Sequence, residues 1–187
     1  MDKKSLLNKT IVEQAIFHWL NSVVIGLNLC PFSGKPMREN RVRIFISEGE
    51  TEEDVLKDLS EEIRHLDATP AAVLETTLVV IPYSLQHFFD YMQCLQWAQD
   101  RLKREGWVGV YQLASFHPDY CFAGADPDDV ENLTNRSPYP VIHIIRESSL
   151  AEAIKYYDDV EGIPVRNKEK VAELTDLERA LLFPYLK

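Results

Sequence analysis

The segment Thr76–Ile81 is the part of this sequence that most limits the possible folds. It reads TTLVVI, a nearly continuous run of β-prone residues, and Pro82 ends it. Such a run is typical of a strand whose two faces are both covered. The chain therefore has to place other elements on both sides of one sheet, which indicates a layered α/β or α+β protein.

Three further strands are predicted before and after this run. They are Val42–Ile46, Val108–Ser115 and Val141–Ile145. The first of them is indicated by the alternation of its apolar residues. Because strands alternate with helical segments, some of them should pair in parallel through right-handed crossovers. The expected fold is a small four-stranded mixed sheet with helices packed on it, in one layered domain over residues 1–187.

Helix signals lie between the strands. The expected helices are about Asn8–Asn28, Thr51 to about Leu66, Ser84 to about Arg104, Pro127 to about Leu133, one that opens at Ser149, Pro164–Leu174 and Asp176–Phe183. The residues expected to cap helices at the amino end are Thr51, Ser84, Asp126, Ser149 and Thr175.

The charge balance narrows the range of partners. The chain carries 30 acidic and 20 basic residues, a net charge of -10, which disfavours binding to nucleic acid or to an anionic membrane. The amino terminus lacks an apolar block of signal-peptide length. The three cysteines form no CxxC pair, as is usual in a reducing compartment. We therefore expect a cytoplasmic protein, and the sequence indicates neither a cofactor nor an oligomeric state.

The segment 115–140 is too long and too aromatic to be an ordinary connection. Loops beyond about 12–15 residues are usually either functional or disordered. Phe116, Tyr120, Phe122 and Tyr139 argue against disorder, because disordered segments are poor in aromatic residues. We expect an ordered, functional loop.

A largely parallel sheet would bring polar residues from several strand ends to one edge, where α/β proteins bind ligands. The residues that would meet there are Ser47, Glu48, Tyr83, His117, Asp119, Arg146 and Glu147. Within this set His117 is the candidate general base, oriented by Asp119, because histidine titrates near neutral pH. The alternative is that the His117 ring only hydrogen-bonds to loop backbone.

Arg136 is the candidate anion-binding residue, because a guanidinium fork suits carboxylate and phosphate groups. The residues expected to hold the substrate with it are Asn135, Arg146, Tyr139 and Tyr120. In the alternative interpretation, Arg136 and Arg146 pair with Glu147 or Asp119 and tie down the loop.

Cys30 is a possible reactive thiol, but it lies just past the expected carboxyl end of the first helix. The helix dipole there would raise the pKa of a thiol, which favours a buried structural cysteine. A metal site is conceivable from residues whose side chains can ligate zinc or iron, namely His117, Asp119, Cys121 and His143. No HxxxH or CxxC spacing supports it, and His143 has the position of a core histidine on a strand face. We therefore assign no metal ligands.

Four segments of the chain are similar to a known family. They are VIGLNLCPF (24–32), TTLVVIP (76–82), ASFHPDYCFAG (114–124) and NLTNRSPYPVIHIIRE (132–147). Over roughly residues 16–174 the chain resembles the bacterial and plastid-lineage family known as domain of unknown function 1415 (DUF1415). The resemblance implies no reaction, cofactor or partner, and similar proteins commonly carry glutamine at the position of Cys121.

Three functional hypotheses follow. The first is a small enzyme or substrate-binding protein that acts on a small anionic metabolite bearing phosphate or carboxylate. The second is a non-catalytic module whose loop binds a protein partner, and the third is a metal-dependent enzyme. A concave pocket with His117 and Arg136 pointing inward would favour the first. Exposure of Phe116, Phe122 and Tyr139 on a flat patch would favour the second.

Overall fold

The computed structural model of the chain describes residues 3–186, with side chains from residue 8 onward. Its centre is a four-stranded sheet made of β1 (Val42–Ile46), β2 (Thr76–Val80), β3 (Tyr111–Phe116) and β4 (Val141–Arg146). The strand order is β1-β2-β4-β3. β1 and β2 are parallel, whereas β4 is antiparallel to both of its neighbours. The expected four-stranded mixed sheet is confirmed.

Helices cover both faces of this sheet. The α-helices are α1 (Lys3–Trp19), α2 (Gly34–Arg38), α3 (Glu52–Asp67), α4 (Phe88–Arg104), α5 (Glu147–Ile154), α6 (Ile163–Ala172) and α7 (Asp176–Leu182). α1 continues directly into a π-helical turn at Leu20–Ile25, and a 3-10 helix spans Val130–Asn135. Within residues 3–186, no helix has both the length and the apolar character needed to cross a membrane.

β2 is buried on both faces, as its apolar run predicts. Leu78 and Val80 pack toward α1, in a core that includes Trp19. Val79 points the other way, into a second core under α3 and α4 that includes Tyr91. None of these five side chains exposes more than 2% of its surface. Access to the sheet is therefore limited to its ends and to gaps between the helices.

Two of the predicted helix caps are confirmed. Thr51 and Thr175 each form a capping box with the acidic residue three positions later. The cap predicted at Ser84 is wrong, because α4 begins only at Phe88. The Ser84 hydroxyl donates instead to the carbonyl of Gly49 at 2.9 Å, so it joins two loops at the carboxyl end of the sheet.

The caps predicted at Ser149 and Asp126 are also wrong. α5 begins at Glu147, immediately after β4, and Ser149 therefore lies inside the helix. The Asp126 carboxylate accepts the backbone N–H of Asp128 at 2.9 Å. Such short-range bonds compete with helix formation, and the chain becomes helical only at Val130, where it forms a 3-10 helix.

The polar residues expected at one edge of the sheet, where its strands end, are divided between the two ends of the strands. We call these two ends the edges of the sheet. The carboxyl ends of β1, β2 and β3 point the same way, and His117 lies at that edge. Arg146 and Glu147 lie at the opposite edge, which corrects the prediction. The reason is that β4 is antiparallel, so that its first residue, Val141, pairs with the last residue of β2, Val80.

Candidate functional site

An apolar cavity of about 220 Å³ lies between the sheet and α1, toward the amino end of β2. Side chains of β2, β3 and β4 form its floor, and its walls come from the π-helical turn, the segment 30–37 and α5. The residues that line it include Leu20, Val24, Cys30, Phe32, Thr76, Ala114, His143, Ile145 and Leu150. We call this space the sheet cavity.

Small side chains keep the sheet cavity open. β3 contributes Ala114 to the floor, and α5 contributes Ser149 and Ala153 to a wall. The first helical segment cannot close the space, because it ends at the π-helical turn and Asn28 then adopts a left-handed conformation with a φ of 54°. Asparagine is one of the few residues that reach this conformation at low cost. The gap beside the helix therefore follows from the local sequence.

The π-helical turn Leu20–Ile25 forms one wall of the sheet cavity. Leu20 and Val24 both line it. The Gly26 N–H donates to the Asn21 carbonyl at 2.9 Å, which is the wide hydrogen-bond spacing of a π turn. Turns of this kind within α-helices frequently occur at functional sites. The sequence predicts only a regular helix here, because apolar periodicity does not reveal a single wider turn.

His143 is the polar group on the floor of the sheet cavity. Its Nε2 lies 2.6 Å from Thr76 Oγ1, and the Thr76 hydroxyl donates its hydrogen to the Ile144 carbonyl at 2.5 Å. The Thr76 oxygen must therefore accept a bond from Nε2–H, which leaves Nδ1 as the unprotonated nitrogen. Burial lowers the pKa of His143 to about 4, so the ring is neutral near pH 7.

Nδ1 of His143 has no hydrogen-bond partner among residues 3–186. The atom is not fully buried, so it is accessible from the sheet cavity. An acceptor that is accessible from an apolar cavity is a place where the donor of a ligand could bind. The position of His143 on a strand face was predicted, but the open nitrogen depends on its bond to Thr76, on a strand distant in sequence.

Among the described residues, the two charged ones that line the sheet cavity do not present their charge to a ligand. Glu75 pairs with Arg41. Arg146 contributes to the wall, but its guanidinium lies on the other face of the sheet and donates to the carbonyls of Thr69 (2.6 Å) and Leu66. These bonds satisfy carbonyls at the carboxyl end of α3. The substrate-binding role of Arg146 stays a prediction.

Cys30 lies in the wall of the sheet cavity. Burial raises the pKa of its thiol, so the group is protonated at neutral pH and is a weak nucleophile. The Cys30 carbonyl accepts a bond from the Ser33 hydroxyl at 2.7 Å, which fixes the turn after the first helical segment. These contacts give Cys30 a structural position, and its reactivity stays a prediction.

His117 lies at the opposite edge of the sheet and is fully buried. Its Nδ1 accepts the backbone N–H of Asp119 at 2.9 Å, and its Nε2 is 3.1 Å from the Leu85 carbonyl. The ring is therefore the neutral Nε2–H tautomer, with both nitrogens bound to backbone. Burial also lowers the pKa of His117. This geometry matches the alternative interpretation, in which His117 holds the loop, and catalysis by His117 with Asp119 stays a prediction.

The other polar residues predicted at this edge also bind the loop to itself. Asn135 donates to the Ser115 carbonyl at 3.0 Å. Arg136 donates to the carbonyls of Tyr120 at 3.3 Å and of Pro127 at 2.8 Å. The alternative partners proposed for the arginine were carboxylates, whereas its partners in the structure are carbonyls. The loop is therefore ordered mainly by its own polar groups.

The aromatic residues of the loop pack inward. Phe116 and Tyr139 lie against the core on the α1 face. Phe122 contacts Tyr120, with ring centroids 5.0 Å apart. Phe116, Phe122 and Tyr139 are each more than half buried. This packing does not favour the hypothesis of an exposed aromatic surface for a protein partner.

A second cleft, of about 250 Å³, lies between the 3-10 helix and α7. Arg136 lines it together with Arg179, which the sequence did not single out. We call this space the two-arginine cleft. The predicted residues thus form two groups, with His117, Asp119, Tyr120, Asn135, Arg136 and Tyr139 at one edge and Cys30 and Arg146 at the other. In the part of the chain that the structure describes, no three His, Cys, Asp or Glu side chains are placed to hold a metal ion.

A family model described as a protein of unknown function, DUF1415, matches residues 11–180 of the chain. The chain belongs to the DUF1415 family. No curated protein and no solved structure matches it. Membership in DUF1415 therefore establishes a relationship, and the function has to come from the chemistry of the site.

The segments that carry the DUF1415 resemblance contribute to both edges of the sheet. Cys30 and Phe32 from the first of these segments and His143 from the last line the sheet cavity. His117 and Arg136 lie at the opposite edge, and Arg136 reaches the two-arginine cleft. The part of the chain that matches DUF1415 thus contributes to two separate places where a ligand could bind, and Phe183 and Leu186 complete the two-arginine cleft from outside it.

Proposed function

We propose that this DUF1415 protein is a small enzyme or ligand-binding protein that holds a small, uncharged and largely apolar molecule in the sheet cavity. One observation carries the proposal: an apolar space of about 220 Å³ with an unpartnered imidazole nitrogen on its floor. Sites of this kind, apolar with a few placed polar groups, are typical of small-molecule binding.

The volume limits the size of the ligand. An apolar cavity of roughly 150 Å³ is large enough to bind benzene, and sites for drug-sized molecules have roughly 300–1,000 Å³. At about 220 Å³, the sheet cavity suits a molecule of one six-membered ring with a few additional atoms. The ligand should carry one hydroxyl or N–H group that donates to Nδ1 of His143.

The protonation state of His143 favours recognition over proton abstraction. A general base works best when its pKa lies near the working pH, whereas burial lowers the pKa of His143 to about 4. At neutral pH the ring accepts a hydrogen bond but takes up a proton only weakly. If the protein is an enzyme, His143 orients the substrate and another group carries out the chemistry.

The remaining hypotheses stay proposals, and each has less support than a ligand in the sheet cavity. An anionic metabolite has less support in the sheet cavity, because the Arg146 guanidinium lies on the other face of the sheet and no other described cation lines the cavity. Arg136 is a cation at the opposite edge of the sheet. Proton transfer by His117 requires release of one of its two backbone bonds. A cytoplasmic location agrees with the charge and the cysteine pattern. In the geometry of residues 3–186, no observation specifically favours the partner-module or the metal-dependent hypothesis.

Matched fragments test the proposal. Phenol and toluene differ only in a hydrogen-bond donor, and Trp19 in the cavity wall provides a fluorescence signal for both. Phenol should bind the wild-type protein about fivefold to tenfold more tightly than His143→Leu, since one hydrogen bond contributes about 1 kcal/mol. Toluene should bind both proteins equally well.

Two variants serve as controls for this experiment. Ala153→Leu fills the sheet cavity from α5 and should weaken binding of both fragments. His65→Leu removes an exposed histidine on α3 and should change neither affinity. The proposal is wrong if no fragment of this size binds the wild-type protein, or if Ala153→Leu binds as tightly as the wild type.

A further inference from the structure

We propose that the two-arginine cleft binds a small oxyanion with two negative charges, the class to which phosphate monoesters belong. The site is separate from the sheet cavity, and it stands whether or not a ligand occupies that cavity. Arg136 was expected to hold an anion on sequence grounds. The structure adds Arg179 as a second cation in the same cleft.

Apolar residues form the two sides of the cleft. Val130 and Leu133 of the 3-10 helix form one side, and Ala180 and Phe183 form the other. The cleft is open to solvent, because the Arg136 bond to Pro127 and the side chains of Asp128 and Asp129 are exposed, so salt screens part of the attraction between the guanidinium groups and an anion. The volume of about 250 Å³ accommodates a phosphate group with part of the molecule that carries it.

Arg136 is held in place with one nitrogen unused. Its Nε and Nη2 donate to the carbonyls of Tyr120 and Pro127 at 3.3 and 2.8 Å. These two bonds fix the plane of the guanidinium. Nη1 has no partner in residues 3–186, and no carboxylate of the described chain pairs with the group. Arg136 is therefore a preorganised cation.

The side chain of Arg179 makes no hydrogen bond and no ion pair within the described part of the chain. Its Nε is completely buried without a partner. Burying a charged donor without a partner is unfavourable. An anion in the cleft would neutralise both arginines, because their planar forks match the oxygens of a phosphate group.

Two carboxylates line the same cleft and oppose an anion. Asp128 and Asp129 are exposed, and Asp129 accepts the N–H of Asp126 at 2.9 Å. Neither pairs with Arg179 in the structure of residues 3–186. The competing interpretation is that Asp128 closes onto Arg179 in solution and occupies the cleft. The two interpretations differ for the wild-type protein: an open cleft binds phosphate with Asp128 in place, whereas an occupied cleft binds it only after the Asp128 charge is removed.

Titration with inorganic phosphate at constant ionic strength in chloride tests the site, with calorimetry and thermal shift as readouts. We expect Arg179→Gln to weaken binding about tenfold or more, because a charge-assisted fork is lost. Asp128→Asn should tighten binding several-fold, because a repelling charge is removed. Arg104→Gln, at an exposed arginine on α4, is the matched control and should have no effect.

Sulfate and acetate define the chemical class. A site with two positive charges should bind the doubly charged anions phosphate and sulfate more tightly than the singly charged acetate. If Arg179→Gln does not fold, Arg179→Lys keeps the charge, removes the fork and should still weaken phosphate binding. His143→Leu should leave phosphate binding unchanged, so that failure of this site and failure of the sheet cavity are seen separately.

Three results would overturn the proposal. The first is the absence of phosphate binding to the wild-type protein. The second is an equal effect of phosphate on the wild-type, Arg179→Gln and Arg104→Gln proteins, which indicates an adventitious ion only. The third is an Asp128→Asn protein that binds phosphate no more tightly than the wild type, which would place the bound ion outside the cleft.

Discussion

Acid should destabilise the folded chain through His143. Its ordinary pKa is 6.5, and burial lowers the pKa in the folded state to about 4. Between these values the unfolded chain binds a proton at this position and the folded chain does not. The stabilising contribution is therefore complete above pH 6.5 and is lost as the pH falls toward 4.

The size of the effect follows from the linkage relation. Each pH unit inside this window lowers the free energy of unfolding by about 1.4 kcal/mol. Acidification from pH 7 to pH 5 crosses about one and a half units of the window, which corresponds to roughly 2 kcal/mol. Some exposure of the ring to the cavity reduces this value, so we expect about 1–2 kcal/mol.

Urea denaturation of the wild type and of His143→Gln at pH 7, 6 and 5 measures this contribution. Glutamine can donate an amide N–H to Thr76 and does not titrate, so the difference between the two proteins isolates the imidazole. Burial also lowers the pKa of His117, but that contribution is common to both proteins and cancels. Free energies of unfolding that change in parallel from pH 7 to pH 5 would refute the reasoning.

Three further predictions concern buried groups. His117→Leu should lower the free energy of unfolding by about 2–4 kcal/mol, because the Leu85 carbonyl and the Asp119 N–H lose their partner; a loss below about 1 kcal/mol in urea denaturation would contradict the anchoring role of His117. Thr77→Val should be neutral or stabilising by up to about 1 kcal/mol, since the Thr77 hydroxyl is buried with no partner in the described residues; a clear decrease of Tm would contradict this. Cys30 should react with a thiol reagent at pH 7.5 much more slowly in the folded than in the denatured chain, because burial raises its pKa. Mass spectrometry locates the label. If Cys30 is labelled fast in the folded chain and phenol does not slow the labelling, the thiol lies outside the sheet cavity.

The sequence predicts the sheet well because its strands carry local signals. β2 is apolar on both faces, and Thr51 and Thr175 have their capping partners three residues away, so nearby residues determine these features. Ser84 shows the limit of such signals. Its hydroxyl bonds to Gly49, which is distant in sequence, and no local pattern reveals that partner.

The site is less predictable because it depends on strand direction and on distant partners. The antiparallel direction of β4 places Arg146 at the edge opposite to His117, and periodicity carries no information about direction. His117 is fully buried and His143 is half-buried, and of these two only His143 has a nitrogen without a partner in residues 3–186. This difference arises from Thr76 and Leu85, which reach the rings from elsewhere in the chain.

The π-helical turn also allows the length of the chain to vary at one place. A π turn holds about one residue more than an α-helical turn, so deletion of one residue within Leu20–Ile25 would allow a continuous α-helix. The wider turn absorbs the rotation of about 100° that one residue adds to an α-helix, so the deletion would leave α1 on the same face. Ile16 and Trp19, which expose 0% and 1% of their surface, would then stay on the sheet, and the change would fall on Leu20 and Val24 in the wall of the sheet cavity. We therefore expect related chains that lack this residue to keep the core and to differ in the shape of the cavity.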